Sequence, residues 1–315
     1  MSTASTLSNR ALPLVLLAIS LLFYPRPAAA WSAAGHRVIA AVAWRDLAPK
    51  TRALALKILS AHPDCAKWRS DFLSRPQEIN WEFFLFTRAA TWPDDIRRRH
   101  GDFDHPEWHY VNYPLQPANF PMQRPPTGEN ILTAISRCQT VLSDPDSSPQ
   151  DRAVHLSWLI HLVGDLHQPL HCVALVSVDF PEGDKGGNRF YIKPGKRAIK
   201  LHEFWDDLLG TANGHQHSLN DAARIAANHS RRSWTELWHH TPESWALESR
   251  SLAIKKVYLR GRLKPGHNES DAQPLPQAYA QNAKSIAEHQ AAIAGYRLAD
   301  ELRRCFSSNS ASAGK

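Results

Sequence analysis

The stretch from His155 to His171, HLSWLIHLVGDLHQPLH, sets four histidines and one aspartate within seventeen otherwise apolar-patterned residues. His161 and Asp165 are four apart, so on a helix they stand one turn above each other on the same face. Pro169 cannot continue a helix, and it biases Gln168 away from helical geometry. The chain therefore bends just before His171, which can swing back toward the same point. Two imidazoles and a carboxylate converging from a rigid helix end are suited to a divalent metal. A second copy of the i,i+4 pattern stands at His202 and Asp206. A buried helix with satisfied histidines accounts for any one of these residues, but the repeated constellation points to metal.

The residues able to bind metal are His36, Asp94, His109, His161, Asp165, His171, His202 and Asp206, joined by the mature N-terminus at Trp31. A zinc site takes about four ligands, so this set exceeds one site and suits two or three. Imidazole dominates it, which favours zinc over oxygen-seeking magnesium. A carboxylate that bridges two metals holds them about 3.5–4 Å apart, the spacing of two-metal phosphoesterases. His167 reads as a residue that orients ligands by hydrogen bonds, and His155 as structural. The pairs His215/His217 and His239/His240 read as surface. Cys172 adjoins His171, but the set already holds enough harder ligands.

The elements that must position these side chains read as mostly helical. Val38, Ile39, Val42 and Leu47 are spaced for one buried helix face ending near Pro49, and a second helix is expected over 51–60. Residues 71–86 are aromatic-rich and can continue helical. Pro93 marks a loop or a fresh helix start, and the six prolines between His100 and Pro126 mark an irregular segment. Helix returns over 131–142. Ser148-Pro149-Gln150-Asp151 opens the central helix with a capping-box pattern. Residues 189–192 and 197–201 flank Pro194-Gly195 and suit a small hairpin, and a helix follows from His202. Ser218 with Asp221, and Ser233 with Glu236, are further cap signals. Thr241-Pro242 opens a helix toward Tyr258, and the last helix falls within 276–304. The expected fold is mainly α, in one domain with at most a small β-hairpin.

The domain layout has three parts. Residues 1–30 form a signal peptide: Arg10 precedes an apolar run from Ala11 to Tyr24, and Ala28 to Ala30 supply an A-x-A cleavage site. That run is short for a membrane span, which needs about 20 residues. The functional domain is 31–306, and 307–315 is a small polar tail expected to be disordered. Losing Arg10 and Arg26 with the signal lowers the net charge from +7 to +5, which suits a polyanionic substrate without requiring one. Export to the periplasm or the outside also makes two disulfides the expectation for Cys65, Cys138, Cys172 and Cys305, with the connectivity open. Asn228 and Asn268 begin glycosylation patterns, relevant only in a eukaryotic secretory path.

Taken together, these motifs resemble the S1/P1 nuclease family of secreted trinuclear-zinc nucleases. The resemblance rests on Trp31 with Gly35-His36, on Trp92-Pro93-Asp94, and on His109-Tyr110-Val111-Asn112. It rests further on the run from Leu159 to His171, on Gly186-Gly187-Asn188, and on the run from Leu201 to Asp206. It covers nearly all of the mature chain. The resemblance implies three zinc ions. One takes Asp94, His109, His161 and Asp165; a second takes His171, His202 and Asp206. The third takes His36, Asp165 as a bridge, and the α-amino nitrogen and carbonyl oxygen of Trp31. Only cleavage right before Trp31 creates that amine. The implied reaction is hydrolysis of phosphodiester bonds in single-stranded DNA and RNA to 5′-phosphoryl products, with 3′-nucleotides as further substrates. Asp94, Asp165 and Arg97 form the catalytic set, Arg97 facing the phosphate. Tyr110 matches an aromatic that stacks on the base. Asn112 stands where fungal members carry an aspartate, which puts base preference in doubt. Asn188 either contacts substrate or shapes its loop. No stable protein partner and no membrane insertion are implied.

Two other readings share part of this pattern. A zinc-dependent phospholipase C of the same superfamily would use the same chemistry on lipid, but its last ligand is a glutamate where this chain has Asp206. A secreted zinc-binding protein without catalysis would not need Asp165, Arg97 and the Trp31 junction together.

Overall fold

A computed structural model describes residues 31–74, 78–97, 101–117, 126–211 and 214–312. The expected signal peptide, the arginines at 98 and 99, Pro121, Pro125 and the last three residues lie outside the described residues. The chain is mainly helical, as expected, and its strands are short. In order come α1 (Ala33–Asp46), α2 (Pro49–Leu59), α3 (Cys65–Leu73), α4 (Trp81–Ala89) and α5 (Trp92–Ile96). Then follow α6 (Ile131–Ser143), α7 (Pro149–Leu166), α8 (Leu201–Asp206), α9 (His215–Asn228), α10 (Pro242–Leu252) and α11 (Tyr279–Ser312). No helix among the described residues is long and apolar enough to cross a membrane.

α7 is the axis of the molecule. Ser148 caps it, its hydroxyl accepting the Asp151 N–H at 3.0 Å, with Pro149 in the first turn. From Leu156 to Leu166 every residue is buried, the mark of a helix packed on all sides. It touches α1, α2, α4, α5, α6, α10 and α11. One apolar cluster surrounds α7 with Trp92, Trp158 and Leu298, and a second joins α1, α8 and α11 through Trp31, Val38, Trp205 and Ala291. The helix ends at Leu166 with His167 as its cap, Gln168 is extended (φ −85°, ψ 114°), and Pro169–Cys172 forms a single 3-10 turn. The bend expected from Pro169 is therefore present.

Two small sheets brace the loops. β1 (Pro114–Leu115) pairs in parallel with β2 (Ala174–Leu175). β3 (Tyr191–Lys193) pairs with β4 (Ile199–Lys200) in the expected antiparallel hairpin, Tyr191 opposite Lys200. β5 (Gln273–Pro274) adds a parallel strand that two residues of polar sequence did not announce.

Several expectations are corrected. The aromatic stretch 71–86 is two helices, because Asn80 caps a new start by accepting the Phe83 N–H at 2.9 Å. Ser218 is not a cap: α9 begins earlier, at His215, and the Ser218 hydroxyl bonds back to the Gly214 carbonyl at 3.2 Å. Trp234, not Ser233, precedes the short 3-10 turn Thr235–Trp238, with no side-chain cap. α11 runs on to Ser312, past the expected end near Arg304, since no glycine or proline stands between Arg304 and Ser312. The four cysteines are free thiols rather than two disulfides. Cys65 opens α3 and Cys172 lies beside the Leu166 carbonyl at 3.5 Å, while Cys138 of α6 and Cys305 of α11 are both buried and near enough that Cys305 adds to burial in raising the Cys138 thiol.

Candidate metal centre

Six segments deliver the ligand-type side chains to one buried seam. α1 brings His36, α5 brings Asp94, and the 3-10 turn Pro106–His109 brings His109. α7 brings His161 and Asp165, the turn after it brings His171, and α8 brings His202 and Asp206. Three groups result, each with ligand atoms within 4.8 Å of one another: His36, His161 and Asp165; Asp94, His109 and His161; and His171, His202 and Asp206.

Asp165 is the hub. It is fully buried, and its Oδ2 lies 3.0 Å from His109 Nδ1 and 3.2 Å from His161 Nε2. Its Oδ1 lies 3.2 Å from His36 Nε2. Asp94 Oδ1 stands 3.9 Å from both His109 Nδ1 and His161 Nε2. In the other group, His171 Nε2 and His202 Nε2 are 3.1 Å apart, and Asp206 Oδ2 is 3.5 Å from His202 Nε2. Small residues allow this convergence. A Cβ on Gly35 would come 2.8 Å from Trp31 Cβ, and one on Gly164 would come 3.0 Å from His36 Nδ1.

The outer nitrogens of three imidazoles are spoken for. His161 Nδ1 donates to the Ala90 carbonyl (2.8 Å), His171 Nδ1 to the His109 carbonyl (2.5 Å), and His202 Nδ1 to the Gly186 carbonyl (2.6 Å). These bonds fix each ring's tautomer and aim Nε2 inward, as outer partners of metal-bound histidines do. Gln168 Nε2 holds Asp206 Oδ1 at 2.8 Å and leaves Oδ2 facing His202. Trp31 is buried, its indole donating to the Gly164 carbonyl at 2.9 Å, while the Ser32 N–H bonds the Asp206 carbonyl at 3.0 Å. The start of the described chain is thus fastened between both halves of the centre.

The electrostatics call for a cation. Burial, with neighbouring His161, pushes His36 down to about 4. Burial raises Asp206 well above the carboxylate range and opposes ionisation of Asp165, yet His161, His109 and His36 hold Asp165 well below that range. Buried polar atoms usually find partners. Here His36 Nδ1 and Nε2, His109 Nε2, Asp94 Oδ1 and Asp165 Oδ1 have none. Of these, His36 Nε2, Asp94 Oδ1 and Asp165 Oδ1 face the ligand groups, and imidazole and carboxylate atoms left unsatisfied there fit a bound divalent metal, with a donor set that fits zinc.

The remaining candidate residues fall at different distances from this seam. Tyr110 is 37% exposed beside His109, and Arg97 is close enough to act on its phenol electrostatically. Asn112 is half-buried. The Asn188 amide donates to the Lys185 carbonyl at 3.0 Å, so it shapes its own loop. His155 bonds the Asp151 carbonyl, as a structural residue would. His167 faces away from the ligands: its Nδ1 meets the Val163 carbonyl at 2.7 Å and its Nε2 accepts from Arg297 at 2.8 Å. It ties α7 to α11 rather than touching a ligand. His215 is not a surface residue but is half-buried, 2.7 Å from the Thr87 hydroxyl. Sequence reading missed Gln168 and the backbone carbonyls of Ala90, His109 and Gly186. Gln168, between His167 and Pro169 of the core motif, was visible; the carbonyls carry no side-chain signal.

Comparison with known proteins gives a consistent picture. The S1/P1 Nuclease family model matches residues 31–307. Endonuclease 4 of Arabidopsis thaliana is 26% identical over 314 residues, covering 90% of this chain and 92% of that protein. Nuclease S1 of Aspergillus oryzae is 23% identical, covering 85% of this chain and 89% of its own length. Nuclease P1 of Penicillium citrinum is 24% identical, covering 88% and 98%.

Proposed function

The chain belongs to the S1/P1 nuclease family, and from that premise we propose that it is an exported three-zinc endonuclease that cleaves single-stranded DNA and RNA to 5′-phosphoryl products and also acts on 3′-nucleotides. The observation that carries this reading is the set of unsatisfied buried ligand atoms gathered around Asp165. One zinc is held by Asp94, His109, His161 and Asp165, and a second by His171, His202 and Asp206. A third is held by His36, Asp165 and the amine and carbonyl of Trp31, after a signal peptide ending at Ala30 is removed. Zinc in such a centre supplies a water-derived nucleophile near neutral pH and offsets charge on the departing 3′ oxygen.

The chain's own groups supply position and recognition. The hydrogen bonds from His161, His171 and His202 to backbone carbonyls keep their Nε2 atoms aimed inward. Asp165 shares its two oxygens between neighbouring ligand groups. Arg97, within electrostatic reach of Tyr110, presents a planar fork suited to a phosphate. Tyr110, partly exposed at the rim, stacks on a base; stacking tolerates every base, which fits low sequence preference. Asn112, bearing both donor and acceptor, contacts the base edge. The protein works outside the cytoplasm, free of the membrane.

A covalently closed single-stranded DNA circle tests this reading, because it offers no ends. The zinc-loaded protein should linearise it and then reduce it to short products. An intact circle, beside hydrolysis of phosphatidylcholine, would assign the centre to lipid instead.

A further inference from the structure

The segment Gly183 to Asn188 holds a fully buried carboxylate, Asp184, that no ligand group uses. We propose that Asp184 and Tyr258 are positioning residues for the His171–His202–Asp206 metal group, acting through the carbonyl of Gly186. The inference rests on the zinc reading above and extends it to residues outside the ligand set.

A buried carboxylate is costly unless its lone pairs are met. Asp184 Oδ1 accepts the Leu175 N–H at 2.8 Å, and Oδ2 accepts the Tyr258 hydroxyl at 2.6 Å. The N–H groups of Gly186 and Gly187 lie near enough to this side chain to favour its charged form, against the burial that disfavours it. They can do so because three consecutive residues, Lys185, Gly186 and Gly187, have φ of 55°, 60° and 81°. Such a run turns successive amides inward, forming an anion-holding concavity. Here the anion is the chain's own carboxylate.

The same curl makes the Gly186 carbonyl available to His202 Nδ1, which donates to it at 2.6 Å. His202 Nε2 is thereby committed to face His171 Nε2 at 3.1 Å and Asp206 Oδ2 at 3.5 Å. The loop is tightly located: a Cβ at Gly186 would sit 2.3 Å from the Leu170 carbonyl, in the turn that carries His171. The Gly187 carbonyl accepts the N–H of Phe190 at 3.3 Å and that of His202 at 3.4 Å.

Tyr258 reaches this loop from 74 residues away. It is 1% exposed and follows a π-helical turn, Ala253–Val257, that extends α10. Its N–H closes that turn onto the Ala253 carbonyl at 2.9 Å. π-turns are rare and frequently found at functional sites; this one delivers a hydroxyl to the carboxylate that shapes the His202 acceptor. The path runs from α10 through Tyr258, Asp184 and Gly186 to His202.

The test uses the exported protein with its first residue verified as Trp31. Wild type, Tyr258→Phe and Asp184→Asn are dialysed against graded concentrations of a zinc chelator, bound zinc is counted, and thermal unfolding of the same samples is followed. Wild type should hold three zincs. Tyr258→Phe should surrender one of them at about 10–100-fold lower chelator concentration, the usual effect of losing an outer partner, with the other two unchanged. Asp184→Asn should move the same zinc further. Retention of all three zincs as in wild type by both variants would overturn the proposal. So would parallel loss of all three with a lowered unfolding temperature, which marks a general structural role. Wild type without bound zinc would overturn the metal reading and this proposal together.

Discussion

His36 Nε2 and Asp165 Oδ1 lie 3.2 Å apart in the core, and neither atom makes a hydrogen bond. Two buried polar atoms this close, brought together by α1 and α7, are aimed past each other toward a shared point. Leaving such groups unmet costs about 1–3 kcal/mol each. The fold tolerates that cost where a ligand repays it; the other oxygen of Asp165 is hydrogen-bonded to His109 Nδ1 at 3.0 Å and lies 3.2 Å from His161 Nε2.

Asp165→Asn should therefore disturb two metals at once. Loss of an outer partner alone costs about 10–100-fold, so loss of the shared carboxylate should lower turnover by more than about 100-fold and reduce bound zinc. Steady-state kinetics with metal analysis checks both. Normal turnover by Asp165→Asn would remove it as the bridge.

An added residue ahead of Trp31 converts the amine into an amide. Such a protein should bind two zincs where the form beginning at Trp31 binds three, and its activity should fall with the missing metal. Equal zinc contents in the two forms would contradict the role given to the N-terminus.

Tyr110→Ala removes a stacking face worth about 1–3 kcal/mol per base. KM for an oligonucleotide should rise by about 5–150-fold, the same energy expressed as affinity. Tyr110→Phe should stay near wild type. A fall of kcat with KM unchanged would remove Tyr110 from substrate binding.

Acid should weaken the fold partly through His215. Burial, then Arg37 and Arg88, pushes its pKa down to about 3, against about 6.5 in an unfolded chain. Between these values the unfolded chain binds the proton and the folded chain does not. The stability His215 contributes is thus complete above pH 6.5 and is lost as pH falls toward 3. His215→Gln should flatten this part of the profile. Urea midpoints at pH 7 and pH 4.5 measure it, and an identical drop in both proteins would contradict it.

Much of this centre is legible in the residue order. The i,i+4 spacing of His161 with Asp165, and of His202 with Asp206, announces shared helix faces, and Pro169 announces the bend that returns His171. The helical character of the fold and the cap at Ser148 follow from equally local rules. What the order does not display is long-range. The His202 acceptor is a backbone carbonyl, and its support comes from Tyr258, far along the chain. His167 carries the same residue type as the ligands but points to Arg297, because the helical face opposite Asp165 meets α11. His215 looks like a surface histidine until Thr87 and Phe84 are packed against it.

The central claim is metal-dependent hydrolysis at phosphorus by this centre. Its most direct test incubates protein beginning at Trp31 with a single-stranded oligonucleotide, with and without a zinc chelator, and identifies the new ends. The account predicts cleavage that the chelator abolishes and added zinc restores, leaving 5′-phosphate and 3′-hydroxyl ends. Zinc-loaded protein that leaves the strand whole, or cleavage that persists after the zinc is stripped, would contradict it.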